Sequence, residues 1–357
     1  MAPSESGVVS IVVVNYNYGR FLDEAIESAL AQTHDRVEVI VVDDGSTDES
    51  RALIDRYGDR VVAVLKENGG QASALNAGFE DVSGDVVIFL DADDVLEAQT
   101  AARAATAFAA QPRLAKVHYR LEIVNADGRA TGASTPPAAI PLPSGDLREL
   151  LRHHPDDVPY PPSSGNAYAT WALERVLPVP EADYRVLADV YLLNLVPLLG
   201  PVEAFDGIGG RYRAHDANRH YSSRLRLDRV RATVRTIHVT HAHMRKLGDS
   251  IGLIGLPESD RDNRSLVFLS QRLVSCKLEP RRHPLPSDTT WRLARCGVAA
   301  ALGRSDLALG FRVLYAAWFL AMVVAPRRPS TRLAEQLLFP ESRGVASPLV
   351  DRLRRRS

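Results

Sequence analysis

Four short apolar bursts punctuate the first ninety residues: VVSIVVV at 8–14, VEVIVV at 37–42, RVVAVL at 60–65 and DVVIFL at 85–90. Each is rich in β-branched residues and almost free of polar ones, the pattern of parallel strands covered on both faces. Between them lie FLDEAIESALAQ, DESRALIDRYG and QASALNAGFEDVSG, which read as helices. In the first, Phe21, Leu22, Ala25, Ile26, Ala29 and Leu30 recur at the 3.6-residue spacing of one buried face. Alternating strand and helix predicts an α/β sheet with right-handed crossovers, whose ligands bind beyond the carboxyl ends of the strands. The polar clusters at those ends are NYNYG, DDGSTD, KENGGQ and DADD, and they are expected to converge on one edge.

After residue 110 the pattern loosens. AKVHYRLEIVNADGRATG predicts a β-hairpin turning at Asp127-Gly128. A proline-rich stretch follows, through STPPAAIPLPSGDL and HHPDDVPYPPSSGN, and a long loop of this kind in a compact domain is commonly functional. A helix is expected from about Tyr184 to Leu199, then a strand carrying IGGRYRAH. From Ser222 onward the chain reads as amphipathic, arginine-rich helix, which places a boundary near residue 220. Ser46 or Thr47 is expected to cap the helix after the second strand.

Composition narrows the class. A chain of 357 residues with a hydrophobic fraction of 45% can bury a sizeable core, and a formal net charge of −1 gives no electrostatic reason to expect a nucleic-acid partner. The two cysteines, Cys276 and Cys296, support neither a disulfide framework nor a structural zinc site, so a cytoplasmic, reducing setting is expected. The most apolar stretch, VLYAAWFLAMVVA from Val313 to Ala325, is too short to span a bilayer. Joined to the basic PRRPSTR, it suits peripheral contact with the anionic inner face of the cell membrane.

The densest chemistry is FLDADD at 89–94, three aspartates within four positions behind an apolar strand. Two carboxylates about 5 Å apart repel by roughly 3 kcal/mol at an effective dielectric near 20. With Asp43-Asp44 ending another strand, the cluster suits Mg²⁺ or Mn²⁺, which use one or two protein carboxylates and leave positions for phosphate oxygens. Neither GxGxxG nor GxxxxGK[ST] is present, which argues against a Rossmann dehydrogenase or a P-loop enzyme. The Gly69-Gly70 helix opening reads either as an anion site or as a plain turn.

The ordered series VSIVVVNYNYGRFLDEAIESALAQ, VEVIVVDDGSTDES, ENGGQASALNAGF and GDVVIFLDADD resembles the family 2 glycosyltransferases of the GT-A fold, over roughly residues 8 to 100. The resemblance implies a GT-A domain over 1–220, with 8–100 as its nucleotide-sugar half and 101–220 as its acceptor half, and a C-terminal helical region over 221–357. It also implies site residues. Val14 to Tyr16 and Asp44 would hold the nucleotide base and ribose. Asp91-Ala92-Asp93 matches the DxD motif, with Asp93 on a divalent metal ion (Mn²⁺ or Mg²⁺) and Asp91 near the ribose and diphosphate. Asp94 would support these or cap a helix, and SSGNAY at 163–168 resembles the acceptor-side loop. Family members carry an ED pair whose Asp is the catalytic base; in VLADVYLL this is Asp189, with Ala188 in place of the Glu. RYRAHDANRH resembles the YRxHxxN element, making His215 a second metal ligand.

The resemblance implies an inverting transfer from a nucleoside-diphosphate sugar to a hydroxyl of a saccharide or lipid-linked acceptor, as in polysaccharide or glycoconjugate biosynthesis. The alternatives are a catalytically silent nucleotide-sugar-binding protein and a sugar-nucleotide pyrophosphorylase. The second would open with a Gly-rich loop bearing Arg and Lys, which VVVNYNYGR does not supply.

Overall fold

In a computed structural model, which describes residues 7–215, 225–257 and 262–338, the four apolar bursts form β1 (Val9–Asn15), β2 (Val37–Asp44), β3 (Val62–Lys66) and β4 (Val86–Asp91). They alternate with α1 (Gly19–Leu30), α2 (Ser50–Asp55) and α3 (Gln71–Glu80), and all pair in parallel in the order β3-β2-β1-β4. Helix α1 buries Phe21, Leu22, Ala25, Ile26 and Ala29 as the spacing predicts. Gly78 lets α3 sit directly on the sheet, since a Cβ there would come within 2.4 Å of Val12 Cγ1.

The chain continues through β5 (Val95–Leu96), α4 (Thr100–Ala110), β6 (Lys116–Val124), β7 (Ala130–Thr135), α5 (Arg148–His153), β8 (Asn166–Ala169), α6 (Thr170–Leu173), α7 (Ala188–Leu199) and β9 (Val202–Arg213). The sheet runs β3-β2-β1-β4-β8-β6-β9-β5, with β7 added on β6. Its direction switches at β8, which is antiparallel to both β4 and β6. The predicted hairpin is present: β6 and β7 are antiparallel, and Asn125 Oδ1 accepts from the Asp127 and Arg129 N–H groups while Gly128 takes φ +77°. This is the α/β architecture, a mixed sheet flanked by helices, that the sequence pattern anticipates.

Two expectations need correction. Helix α7 begins at Ala188, not near Tyr184, because the carbonyls of Tyr184 and Arg185 accept from Ala72 N and Gln71 N, and Leu187 adopts φ +67°. Neither Ser46 nor Thr47 caps α2. The Ser46 hydroxyl instead accepts from Asn15 Nδ2 and Asn17 N, and Asn17 Oδ1 accepts from Thr47 N, which ties the turns after β1 and β2 together.

The chain divides into two units, residues 1–149 with 159–215, and residues 150–158 with 216–357. The second unit contains α8 (Leu227–Ser250), α9 (Leu266–Leu278), α10 (Thr290–Gly303), α11 (Leu309–Val324) and α12 (Arg327–Leu338). Leu269, Leu273, Leu293, Ala301, Phe319 and Met322 form its core. No helix among the described residues is long and apolar enough to cross a membrane. Residue 220, the DANRH end of the RYRAHDANRH element and the basic DRLRRRS terminus lie outside the described residues.

Candidate active site

The register of the first unit gathers the aspartates at one edge. Asn15 is opposite Asp43 and Val14 is opposite Asp91, so the end of β1 lies between the acidic ends of β2 and β4. Ala92 N donates to Val14 O at 3.1 Å, and exposed Tyr16 projects from the turn just beyond. With strands about 4.8 Å apart, the ends of β2 and β4 are separated by about 10 Å.

The two carboxylates of β2 have separate partners. Asp43, fully buried, accepts from Asn15 Nδ2, Ser46 N and Arg51 Nε at 2.8–3.0 Å. Burial alone would raise its carboxyl, but the hydrogen bonds from Arg51, Ser46 and Asn15 outweigh it and hold the group below the ordinary range. Asp44 Oδ1 accepts from Lys66 Nζ at 2.8 Å and Gly69 N at 2.9 Å, and its Oδ2 accepts from Gly70 N at 2.7 Å. The two glycine N–H groups are therefore turned to an internal carboxylate, which favours the turn reading of Gly69-Gly70 over the external anion site. A cleft of about 420 Å³ opens beside this knot, lined by Gly45, Ser46, Arg51, Lys66, Glu67 and Asn68.

Gly70 links this knot to α7. It has φ +90° and packs on Arg185, whose carbonyl receives the next N–H, from Gln71. The Gln71 side chain then accepts from Ala188 N at 3.0 Å, fixing the first turn of α7 and with it Asp189. A Cβ on Gly70 would lie 2.6 Å from Arg185 O. Gly70→Ala is expected to cost about 2 kcal/mol or more from the positive φ and the backbone clash, and to lower turnover by displacing α7. Thermal melts and product-release assays on the variant check this; wild-type values in both would refute the linkage.

The DADD segment is held by residues distant in sequence. The Ser164 hydroxyl accepts from Asp91 N at 3.1 Å and donates to Asp94 Oδ2 at 2.7 Å. Arg213 N donates to Asp94 Oδ1 and Arg213 Nε to the Asp93 carbonyl, both at 3.0 Å. Asp94 is thus committed to bracing the segment and caps no helix. His215 is buried against the rings of Tyr18 and Phe21, with Nε2 3.0 Å from Asp93 Oδ2. Burial, then the charges of Asp93 and Asp189, push the Asp91 carboxyl well above the ordinary carboxylate range. Burial raises Tyr212 too, helped by Asp94, Asp93, Asp91 and Asp189. Asp189 also adds to burial in raising Tyr168. Among the described residues, no group of three or more His, Cys, Asp or Glu side chains is arranged to hold a metal ion by itself.

The proline-rich segment lies along β6. Arg120 donates to the carbonyls of Pro136, Pro137 and Ile140, and His118 Nε2 bonds Pro143 O at 2.8 Å. Burial, reinforced by Lys116, pushes His118 down to about 3, so it bonds as a neutral imidazole.

Residues 10–153 match the family model described as Glycosyl transferase family 2. An "Uncharacterized glycosyltransferase" of Nostoc sp. (strain PCC 7120 / SAG 25.82 / UTEX 2576) is 35% identical over 219 residues, 60% of this chain and 67% of the relative. The chain belongs to the family 2 glycosyltransferases. An "Uncharacterized glycosyltransferase" of Rickettsia prowazekii (strain Madrid E) is 47% identical over 90 residues, covering 25% of this glycosyltransferase and 28% of the relative. Among solved structures, S. aureus TarS 1–349 in complex with UDP aligns with 94% of this chain and 92% of its own, at TM-score 0.52 and 16% identity, a likeness of fold.

Of the residues singled out in this glycosyltransferase, Val14, Tyr16, Asp44, Asp91, Ala92 and Asp93 all lie at the edge formed by the ends of β1, β2 and β4. His215 reaches that edge from the end of β9, and Asp189 from the first turn of α7. Sequence reasoning missed Ser164, Arg213, Lys66 and Gln71 as the residues that position them. The SSGNAY stretch resembles the acceptor-side loop, and its Ser164 braces the aspartates. A serine or arginine 70 to 120 residues away carries no local pattern that marks such a contact.

Proposed function

We propose that this glycosyltransferase moves a sugar from a nucleoside-diphosphate sugar to an acceptor hydroxyl, with inversion. What carries the reading is placement: Gln71 fixes the first turn of α7, and Asp189 there lies near enough to Asp91, at the end of β4, for its charge to add to burial and Asp93 in raising that carboxyl. A candidate base and the DxD carboxylates thus share one cluster. Asp189 accepts the proton of the acceptor hydroxyl, whose oxygen bonds to the anomeric carbon as the bond to the diphosphate oxygen breaks. One displacement without an enzyme nucleophile inverts the anomeric centre.

The donor side would be held by Val14, Tyr16, Asp44, Asp91 and Ala92. Three donors already occupy Asp44, which leaves Oδ2 one acceptor position for a nucleotide N–H. Burial first, and then the charge of neighbouring aspartates, raise Asp91 and Asp94; a divalent cation would relieve the repulsion, so the residues fit a Mn²⁺ or Mg²⁺ ion that Asp93 and His215 would hold, with positions left for substrate oxygens. Such an ion supplies charge neutralisation to the leaving diphosphate. A saccharide or lipid-linked acceptor is the class we carry forward.

A thermal-shift screen over nucleotide sugars with and without Mn²⁺ tests donor use, followed by measurement of nucleoside diphosphate release. Asp93→Asn is expected to raise the Mn²⁺ concentration needed for half-maximal release by at least about tenfold. Release independent of cation in wild type and variant alike would remove the metal from this reading. Donor binding with no release under any condition would favour a silent nucleotide-sugar-binding protein.

A further inference from the structure

One feature of the second unit has no counterpart in catalysis. Helix α11 buries Ala316, Trp318, Phe319, Met322 and Val323, yet its opposite side is also apolar. Leu309, Val313, Leu314, Leu320 and Val324 are 44–72% exposed, and Gly310 and Ala317 lie exposed among them. At 100° per residue these seven positions fill one continuous arc of about 140° that contains no polar side chain. A water-facing arc of this kind is not the amphipathic pattern of a surface helix, and isolated exposed leucines do not account for it.

The charge beside it is one-sided. Between Asp306 and Glu335 the sequence contains no acidic residue and four arginines, Arg312, Arg327, Arg328 and Arg332. Three of these lie on α12, which follows α11 after Ala325 and Pro326, and all three are exposed. Arg327 and Arg328 occupy the first turn of α12, where positive charge opposes the helix dipole. Folding energetics therefore do not explain their placement, but an external anion does.

We infer that α11 and the start of α12 form a membrane-docking face: the bare arc of α11 enters the headgroup and acyl boundary of an anionic bilayer, while Arg327, Arg328 and Arg332 meet lipid phosphates. The charge complementarity selects this occupant over a second copy of the chain, whose identical arginines would repel. Helix α11 lies in the interface without crossing it, in keeping with its 16 residues.

Flotation of the full chain with pure phosphatidylcholine vesicles, and with phosphatidylcholine vesicles that also contain phosphatidylglycerol, tests the inference. Wild-type protein is expected to float with the anionic vesicles and to be released by high salt. Arg327→Gln/Arg328→Gln is expected to weaken partitioning about 30-fold, and Val313→Asp/Leu320→Asp to abolish it. Because all four side chains are exposed, the variants should keep the wild-type melting temperature and nucleoside diphosphate release without vesicles. Failure of the wild type to float, or flotation of both variants like wild type, overturns the inference. So does a wild-type dimer in light scattering that Val313→Asp/Leu320→Asp converts to monomer without any vesicle binding, an outcome that makes the arc a subunit interface.

Discussion

Asp189→Asn is expected to lower the rate of nucleoside diphosphate release by about 10²–10⁴-fold, the usual contribution of a positioned general base, while donor affinity stays within about twofold. The substitution keeps the shape and removes the charge. The first turn of α7 is fixed from outside by Gln71 Oε1 on Ala188 N, so asparagine should sit where the carboxylate does. In the proposed reading the donor is held at the β1, β2 and β4 ends, where the change removes only the charge that Asp189 adds to burial and Asp93 in raising Asp91. The expected split is therefore a fall in kcat with little change in donor KM. Turnover within about threefold of wild type would remove Asp189 from the proton transfer. A collapse of donor binding equal to the fall in rate would instead make it a donor-site residue. Asp189→Glu separates charge from reach: a partial rescue relative to asparagine is expected, since the carboxylate is restored but displaced by one methylene.

The absence of a glutamate before Asp189 bears on this result. In the sequence, Ala188 stands where the family motif has Glu, so the pattern does not say how Asp189 is held. The fold supplies a different device, in which Tyr184 and Arg185 are pinned to the start of α3, Leu187 turns the chain at φ +67°, and Gln71 receives the Ala188 N–H. None of these contacts is local. The 3.6-residue periodicity of YRVLADVYLL continues back to Tyr184, so pattern alone extends the helix four residues too far.

Legibility elsewhere follows the same division. Strands β1, β2 and β4 were readable because both faces are buried, which forces continuous apolar runs. The edge strand β3 keeps an apolar run although Val62 and Leu65 are exposed, so the expectation of cover on both faces fails there. Helix α1 was readable because a single face is buried. The cluster at the strand ends was legible as chemistry, since charge at the end of a buried strand has few structural explanations. Hydrogen-bond ownership was not. Ser46 carries a capping pattern, yet the groups that claim it come from Asn15 at the end of β1 and Asn17 in the turn beyond, and such competition is decided by tertiary geometry alone. The Gly69-Gly70 turn likewise exposes two N–H groups that only the strand register assigns to Asp44.

The second large effect concerns stability and lies in the other unit. Arg272→Met is expected to destabilise it by about 3–5 kcal/mol, the usual result of leaving one member of a buried ion pair behind. Arg272 and Asp288 are 2% and 0% exposed and meet through two hydrogen bonds, Nε to Oδ2 at 2.8 Å and Nη2 to Oδ1 at 2.6 Å. His283 Nε2 lies 3.0 Å from Oδ2, and Arg292 donates to Oδ1. Burial raises the Asp288 carboxyl, but His283 and Arg272 outweigh it and hold the group at about 2. A folded-state value below the unfolded one stabilises the fold above about pH 4, and this contribution is lost as the pH falls from about 4 towards 2. Denaturant titration followed by the fluorescence of Trp291 and Trp318, both in this unit, reads the loss, and an unchanged midpoint would refute it. The double change Arg272→Met/Asp288→Leu is expected to cost less than Arg272→Met alone, because the expense lies in a buried carboxylate left with only His283 and Arg292 as partners. If the double variant were instead the less stable of the two, the bridge itself would be what holds α9 to the start of α10.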